Sequence, residues 1–429
     1  MAMYVALQGE TEEETRRQNT ATILIGTCLE YFDLYLYIHL GIILQGYFFG
    51  PSETFTNTLS GAFSGWILSF ACRPIGVFFW GWWGDRCGRK NVFIFTTILM
   101  GISSIFMGIM PGYDEVGSSS IIMFVILRLI QSISSAGELP GATVYLSEIN
   151  KGHRFEAFYV GLICIAIDAG AVLALVIISC CLMSGYEWAW RIPFFIGGML
   201  AVFGSFARTS LKESYEYLKN ENKIKHELTI SYFKQCLLQL KHRKSLLVLV
   251  LLMFPLDTYF IYVIGGKHLE SAYHLSSFHI VLYNLILAIV TMLITYFIVS
   301  LTKRFDPLKI TKIRALMGLI TYPFIFYFYG LADSAVSFIF VQSCFILLLA
   351  SDSAIYYLYP RVLPINVRFF SYGTIWAFAR IATNIIGASL HTFLHTEYGY
   401  WGNFILFYIG AIVYYTLSGK LMNYQEDQS

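Results

Sequence analysis

Charged side chains are scarce in this sequence. Asp, Glu, Lys and Arg make up 13% of its 429 residues, whereas an average soluble domain has about 25%. Apolar residues account for 57%, and the mean hydropathy is +0.62. This composition excludes an ordinary soluble protein and indicates an integral membrane protein that crosses the bilayer several times. The net charge of +2 says little about partners. As a membrane protein, the chain is expected to have the lipid bilayer and no nucleic acid as a partner.

The sequence also lacks the short motifs that carry enzymatic or metal chemistry. It contains no CxxC, HExxH, GxSxG or P-loop pattern, and its eight cysteines lie mostly inside apolar runs. We interpret them as small core residues rather than disulfide or zinc ligands. Among the nine histidines, His391 and His395 come nearest to a ligand pair. We therefore predict that the protein is not an enzyme and holds no metal and no bound cofactor.

Long apolar runs fill most of the chain. A membrane-spanning helix needs about 20 largely apolar residues, and twelve segments meet this length approximately. They are 20–48, 57–80, 91–110, 120–147, 157–183, 192–207, 246–265, 278–301, 313–330, 335–359, 371–395 and 400–419. The sequence thus predicts an all-α membrane protein with 12 transmembrane helices.

The positions of Lys and Arg predict the orientation of these helices. If the N-terminus is cytoplasmic, Arg191 and Lys267 fall in outside loops and Arg73, Arg128 and Arg380 fall in the membrane, which leaves 24 of the 29 basic residues on the inside. This is the positive-inside pattern. We expect both termini in the cytoplasm and the protein in a bacterial-type inner (plasma) membrane. The N-terminus is acidic and polar, so we expect it not to be a cleavable signal peptide.

The longest predicted loop divides the twelve helices equally. It runs over residues 208–245 and is rich in Lys, Arg and Glu. We predict an N-terminal six-helix bundle at 1–207, a cytoplasmic linker at 208–245 and a C-terminal six-helix bundle at 246–429. Two such bundles joined by a polar linker are the arrangement of many transporters built from repeats.

The fourth predicted helix carries charge inside the membrane. Arg128, Gln131, Ser135 and Glu138 follow at steps of 3, 4 and 3 and so share one helix face. A charged side chain at the bilayer centre costs at least about 2.5 kcal/mol. This face must therefore point into the protein or into a wet cavity.

The first predicted helix carries two carboxylates on one face. Gly26, Glu30, Asp33 and Tyr37 follow at steps of 4, 3 and 4, and Glu30 lies near the middle of the segment. Two carboxylates three residues apart in a low dielectric do not both ionise easily, so we expect one of them to hold a proton. This is the profile of a proton carrier.

Further polar groups lie at mid-depth in other predicted helices. Asp168 and Asp257 lie near the middle of theirs, and Arg380 has Trp376 and Asn384 near its face. Such an arginine can bind a substrate carboxylate through two hydrogen bonds. The alternative for each of these groups is a structural role, as one member of a buried ion pair or as a helix cap.

Several motifs resemble those of a known family. The run Gly81-Trp-Trp-Gly84-Asp85-Arg86-Cys-Gly88-Arg89-Lys90 resembles the loop signature of the major facilitator superfamily, and it falls on the predicted cytoplasmic side. The runs 26–37, 72–76, 128–148, 190–194, 211–214 and 363–368 resemble motifs of its metabolite:H⁺ symporter family, which includes proline/betaine transporters. The resemblance implies a carrier in which Asp33 and Glu138 line or gate the transport path. It also implies a cytoplasmic gate at Asp85 and Arg89.

We assign to this gate residues of the loop signature and charged residues of the other family motifs. The predicted gate residues are Arg73, Gly84, Asp85, Arg86, Gly88, Arg89 and Glu148. The second-half copy of the signature, residues 301–306, is degraded, so a symmetric gate is not expected. The chain ends about ten residues after the last predicted helix, so we expect no coiled-coil tail of the osmosensing type.

The sequence analysis leads to a functional hypothesis with open alternatives. We predict a functional monomer that imports a small polar metabolite together with H⁺, with amino acids and betaine-like zwitterions as the best fit. A dicarboxylate carrier, a sugar facilitator and an exporter remain open, as does a receptor on a carrier fold. The predicted substrate and proton pathway comprises Glu30, Asp33, Tyr37, Arg128, Gln131, Glu138, Asp168, Asp257, Trp376, Arg380 and Asn384.

Overall fold

The structure is a computed structural model that describes residues 2–49, 70–214, 217–219, 229–254 and 257–426. Every regular element within these residues is helical, which confirms the all-α prediction. Six helices there are long and apolar enough to cross a membrane: Glu13–Gly41, Arg89–Ile109, Ser119–Ile149, Glu156–Met183, Ser277–Leu301 and Tyr400–Leu421.

The first half of the chain forms seven long helices in its described part, besides one short helix, Tyr113–Val116. They are α1 (Ala2–Phe49), α2 (Arg73–Cys87), α3 (Arg89–Ile109), α4 (Ser119–Ser135), α5 (Glu138–Ile149), α6 (Glu156–Met183) and α7 (Arg191–Arg208). The predicted segment 57–80 lies largely outside the described residues. The predicted segment 120–147 divides into α4 and α5 at Ala136 and Gly137, and Pro140 lies in the first turn of α5.

The second half continues the helical pattern. Its helices are α8 (Thr229–Leu240), α9 (Arg243–Leu252), α10 (Gly265–Tyr273), α11 (Ser277–Leu301), α12 (Pro307–Tyr329), α13 (Ala335–Leu348), α14 (Arg368–Ile381), α15 (Ala388–Tyr398) and α16 (Tyr400–Glu426). A π-helical turn, Tyr259–Ile264, precedes α10, and a second one, Ala382–Gly387, joins α14 to α15. Helix α8 lies within the predicted linker, which we expected to be a polar loop.

One predicted helix is shorter than expected. The helix that begins the segment 335–359 ends at Leu348, Leu349 has an extended backbone, and an α-helix returns only at Leu358–Arg361. The next residues include Ser351, Asp352 and Ser353, whose side chains compete with the backbone for hydrogen bonds and so disfavour a helix interior. The hydroxyl of Tyr322 accepts the backbone N–H of Ala350 at 2.8 Å. The irregular stretch after α13 is therefore stabilised by contacts from its neighbours.

The two halves of the chain contact each other along two helix pairs. Helix α2 packs on α14, and α6 packs on α11. Glycines allow these close approaches, since a Cβ at position 81 would lie 2.8 Å from the Cα of Phe370 and one at position 161 would lie 2.8 Å from a methyl of Val299. These contacts enclose the polar residues described next.

Candidate functional site

A buried polar cluster lies between α1, α3 and α4. Asp33 accepts a hydrogen bond from the hydroxyl of Ser104 at 2.5 Å, and Ser104 in turn accepts one from the amide of Gln131 at 2.8 Å. Arg128 donates to the side-chain oxygen of Gln131 at 2.7 Å. A hydrogen-bonded path therefore connects the guanidinium of Arg128 to the carboxylate of Asp33.

The same cluster contains a buried ion pair. Glu30 lies 4.0 Å from Arg73, with both side chains almost fully buried. Neither carboxylate oxygen of Glu30 has a hydrogen-bond partner among the described residues. A void of about 10 Å³, close to the minimum that one water needs, is lined by Glu30, Asp33, Leu34, Arg73, Met100, Arg128, Gln131, Ser132 and Ser135. We call this set the proton cluster because of the carboxylates it holds.

The predicted placement of Arg73 at the cytoplasmic gate is wrong. Arg73 begins α2, whereas Asp85 lies twelve residues further along the same helix, about 18 Å away at 1.5 Å per residue. The guanidinium instead joins the proton cluster through Glu30. Tyr37 meets the same cluster, since the guanidinium carbon of Arg128 lies 3.4 Å from the centre of its ring. The hydroxyl of Tyr37 donates to the sulfur of Met107.

Glu138 does not join the proton cluster. It accepts hydrogen bonds from Thr96, from Thr97 at 2.7 Å and from Arg208 at 2.8 Å. Arg208 is the last residue of α7, is 2% exposed, and was assigned from the sequence to the linker. A basic residue at the end of an apolar segment suggests a solvated loop end, so its inward direction was missed.

A central cavity lies between the two halves of the chain. Its volume is about 180 Å³, and four of the predicted pathway residues line it: Asp168, Asp257, Arg380 and Asn384. Aromatic side chains form much of the wall, among them Tyr31, Tyr35, Phe70, Phe254, Tyr262, Tyr322, Phe407 and Tyr414. Hydroxyls of Thr258, Thr291, Thr295, Ser351 and Ser353 complete its polar lining. The cavity therefore combines anionic, cationic and aromatic groups.

A third carboxylate in this cavity, Asp352, was not among the predicted site residues. It lies in the irregular stretch after α13, and its Oδ2 accepts a hydrogen bond from Tyr359 at 3.0 Å. The run Ser351-Asp352-Ser353 was the available signal, because three polar residues in an otherwise apolar segment predict a helix break. Asp168 reaches the cavity with one oxygen, Oδ2, buried and without a hydrogen-bond partner among the described residues.

Trp376 lies behind the cavity wall rather than in it. Its ring is fully buried, with the guanidinium carbon of Arg73 4.9 Å and that of Arg380 5.7 Å from the ring centre. The ring thus contacts both a cation of the proton cluster and a cation that lines the cavity.

The other predicted gate residues lie together at one end of the helices, which we call the signature end. The carboxylate of Asp85 accepts the backbone N–H groups of Phe369 and Phe370, each at 3.0 Å, and the hydroxyl of Tyr232 at 3.0 Å. Arg89 lies 3.6 Å from Asp85. These bonds fasten the first half of the chain to α14 and to α8.

Glu148 joins the halves a second time. One of its oxygens accepts from Arg89 at 3.0 Å and from Arg368 at 3.1 Å, and the other accepts from Ser214 at 2.6 Å. Glu156 of α6 is paired in addition with Arg361 from the second half. The signature end is therefore closed by hydrogen bonds and ion pairs between the two halves.

The remaining gate residues serve packing and turn geometry. A Cβ at Gly84 would lie 2.3 Å from the ring of Phe369, and Gly88 has a φ of +92°, which disfavours other residues. The guanidinium of Arg86 lies 5.4 Å from the centre of the Trp82 ring, and its carbonyl accepts a bond from Tyr217 at 2.8 Å.

A buried charge network, a central cavity and a gate between two helical halves define a polytopic membrane transporter. The family model described as "Major Facilitator Superfamily" matches residues 23–368. The chain therefore belongs to the Major Facilitator Superfamily, which confirms the resemblance noted in the sequence.

Two curated relatives and one solved structure illustrate the relationship. A protein of Haemophilus influenzae named "Putative metabolite transport protein" is 33% identical over 221 residues, 50% of this chain and 49% of that protein. A "Putative proline/betaine transporter" of Staphylococcus haemolyticus is 31% identical over 211 residues, 48% and 44% of the two chains. The matched region thus spans about half the length of these relatives. The proton:xylose symporter XylE bound to 6-bromo-6-deoxy-D-glucose has a TM-score of 0.77 at 15% identity and covers 96% of each chain, which shows the shared fold.

Proposed function

We propose that the protein is a proton-coupled symporter that imports a small zwitterion, such as an amino acid or a betaine, by alternating access. The observation that carries this proposal is the composition of the central cavity, which places one guanidinium and three carboxylates within aromatic walls. The names of the relatives, a metabolite transport protein and a proline/betaine transporter, agree with this substrate class.

The size of the cavity favours a small metabolite. Its volume of about 180 Å³ is below the range of about 300–1,000 Å³ of pockets that hold drug-sized ligands. A single amino acid or betaine suits this space better than a larger compound.

The charges of the cavity favour a zwitterion over a dicarboxylate. Arg380 is suited to bind a carboxylate with two hydrogen bonds, while Asp168, Asp257 and Asp352 attract a cationic group. Aromatic rings such as those of Tyr31 and Tyr262 provide faces for an ammonium group, which is how quaternary ammonium ligands are commonly bound. A dicarboxylate could pair one of its carboxylates with Arg380, but the three aspartates of the cavity would repel the other.

The proton cluster supports coupling to H⁺. Glu30 can either hold a proton or pair with Arg73, from which it is separated by 4.0 Å. Asp33 is connected to Arg128 through Ser104 and Gln131. We propose that protonation of these two carboxylates accompanies substrate uptake. We further propose that a monomer in a bacterial-type inner membrane performs it, with both termini and the signature end in the cytoplasm.

The test is a ligand screen followed by transport. Thermal shifts of the purified protein against amino acids, betaines, dicarboxylates, sugars and nucleosides identify ligands, because a bound ligand stabilises the folded protein. The stabilising compounds are then offered to proteoliposomes with an imposed pH gradient. Uptake that follows the gradient and is lost in E30Q and D33N supports the proposal. Stabilisation by sugars alone, uptake without a gradient in both variants, or net export would overturn it.

A further inference from the structure

We propose that Trp376 couples the proton cluster to the substrate cavity, so that protonation of Glu30 strengthens the binding of a substrate carboxylate at Arg380. This inference rests on the proposed function and adds to it the physical connection between the two sites.

The geometry of the connection is direct. The guanidinium carbon of Arg73, a member of the proton cluster, lies 4.9 Å from the centre of the Trp376 ring, and that of Arg380, which lines the cavity, lies 5.7 Å from it. The two guanidinium carbons are therefore at most about 10.6 Å apart, the sum of these two distances. The Trp376 ring and the Arg73 side chain are both fully buried, so the space around this contact is shielded from solvent. Electrostatic interaction across such a dry space is weakly screened.

Arg73, the first of these two cations, lies next to Glu30. Their 4.0 Å separation allows an ion pair, and the carboxylate oxygens have no hydrogen bond among the described residues that would hold them when the proton is bound. The neighbouring charged groups have hydrogen-bond partners other than Glu30. Asp33 is bonded to Ser104, Arg128 to Gln131, and Glu138 to Arg208.

Arg380, the second cation, lines the cavity. It lies within electrostatic reach of Asp352 and Asp257, and of the phenols of Tyr31, Tyr356 and Tyr372. Its Nε is buried without a hydrogen-bond partner among the described residues. The guanidinium lines the space where a substrate would bind. A substrate carboxylate is thus the natural ligand of this cation.

The direction of the coupling follows from the charges. When Glu30 is ionised, it offsets the positive charge of Arg73. When Glu30 takes up a proton, that offset is lost, and the potential at Arg380 becomes more positive. At an effective dielectric constant of about 20, unit charges about 10 Å apart change each other's ionic affinities by about tenfold. A proton and a substrate carboxylate therefore favour each other's binding, and reciprocity of the two effects is required by linkage.

The experiment measures binding to the purified full-length protein between about pH 5 and about pH 8, a window in which perturbed carboxyls titrate. The probes are glycine betaine and L-proline, succinate as a second kind of carboxylate, choline as a cation without a carboxylate, and xylose. For the wild type, we expect the affinity for a carboxylate probe to be about tenfold higher at the acidic end of this range than at the basic end. Choline should not gain affinity there. E30Q, which mimics the protonated state, should bind with the higher affinity at both ends.

Three tryptophan variants distinguish coupling from a structural role. We call the affinity at the acidic end divided by the affinity at the basic end the pH ratio. W376L should reduce the pH ratio to about threefold or less, whereas W376F retains an aromatic face and should keep most of it. W401L, which removes a half-exposed tryptophan that contacts Phe404, is the matched control and should behave as the wild type. A W376L protein that loses affinity equally at both ends, with the ratio unchanged, would overturn the inference, as would an E30Q protein with the wild-type ratio.

The outcomes also separate this inference from the proposed function. Binding of succinate alone would reject the zwitterion but still test the coupling with succinate as the carboxylate. Binding of glycine betaine or L-proline with no pH ratio would reject the coupling alone. If xylose binds and no carboxylate does, or if no probe binds, both are rejected.

Discussion

The carboxylate of Asp85 accepts the backbone N–H of Phe369 at 3.0 Å, although the two residues are 284 positions apart in the chain. Phe369 lies in the first turn of α14, where the N–H groups have no acceptor within the helix. Asp85 accepts the next N–H as well, that of Phe370. A negative charge at a helix N-terminus is favourable. The first half of the chain therefore caps a helix of the second half, and this cap exists only while the signature end is closed.

Replacing Asp85 should open the signature end. D85N removes the negative charge, and hydrogen bonds to charged groups contribute about 1.5–3 kcal/mol each. Cys236 of α8 is buried in a cluster with Phe370 and Tyr232, the residues that Asp85 holds. We expect the alkylation rate of Cys236, followed by peptide mass spectrometry, to rise about tenfold or more in D85N.

The control for this variant is another aspartate that caps a helix. Asp306 accepts the backbone N–H of Lys309 at 3.0 Å and caps α12 from within the same segment. D306N should leave the alkylation rate of Cys236 at the wild-type value. Equal rates in D85N and D306N would show that Asp85 does not hold the gate closed.

Glu148 gives a second prediction at the same end. Its Oε1 lies 3.0 Å from Arg89 and 3.1 Å from Arg368, so one carboxylate serves two buried guanidiniums. E148Q leaves these cations facing each other, and removing one member of a buried ion pair costs about 3–5 kcal/mol. We expect a clear drop in thermal stability in E148Q and a smaller drop in E148Q/R368Q than in the sum of the single variants. Additive effects would contradict the shared ion pair; E187Q, at an exposed glutamate, is the control.

The sequence predicted which residues lie together at the gate better than which residues lie together in the interior. Asp85, Arg89 and Glu148 lie in motifs that are continuous in the chain, and the structure brings them together as expected. Helix periodicity likewise predicts that Glu30 and Asp33 share a face, and both line the void of the proton cluster.

Periodicity does not show which neighbouring helix a face contacts. For that reason, the observed partners of the interior residues differ from the predicted ones. Glu138 shares a face with Arg128, yet the division between α4 and α5 separates them, and Glu138 bonds Arg208. Asp352 was missed because its side chain reaches the cavity from a stretch that the apolar pattern predicted to be helical. Long-range partners such as Arg73 and Trp376 have no signal in a single sequence.

The guanidinium of Arg208 lies close to Gly26, which predicts that a larger residue at position 26 is destabilising. A Cβ at position 26 would lie 1.6 Å from Nη2 of Arg208, which is held by Glu138 and by the carbonyl of Phe93. G26A should therefore displace a buried guanidinium and destabilise the protein by about 1–3 kcal/mol. Gly41 of the same helix has no heavy atom within 4 Å of the corresponding Cβ, so G41A is the matched control. Thermal unfolding in detergent should show a loss for G26A and none for G41A, and equal melting temperatures would refute the argument.

The last prediction concerns pH and the start of α1, outside the membrane. Nε2 of His153 lies 3.1 Å from the guanidinium of Arg16, which also donates to Asn150 at 2.7 Å. Burial and, after it, the charge of Arg16 hold the pKa of His153 below its usual range. A histidine with a lowered pKa favours the folded contact above its unfolded pKa of about 6.5, and this contribution is lost as pH falls through the folded value.

Acidification should therefore release the start of α1 from the loop that carries His153. Hydrogen exchange at residues 13–20, corrected for the intrinsic rate, should quicken as pH falls below about 6.5 in the wild type. H153N cannot be protonated in this range, so its corrected exchange should not depend on pH there. H279N removes a histidine bonded to Ser276, far along the chain, and should retain the wild-type response. A pH dependence that persists in H153N would assign the effect to another group, for instance Glu13, the salt-bridge partner of Arg16.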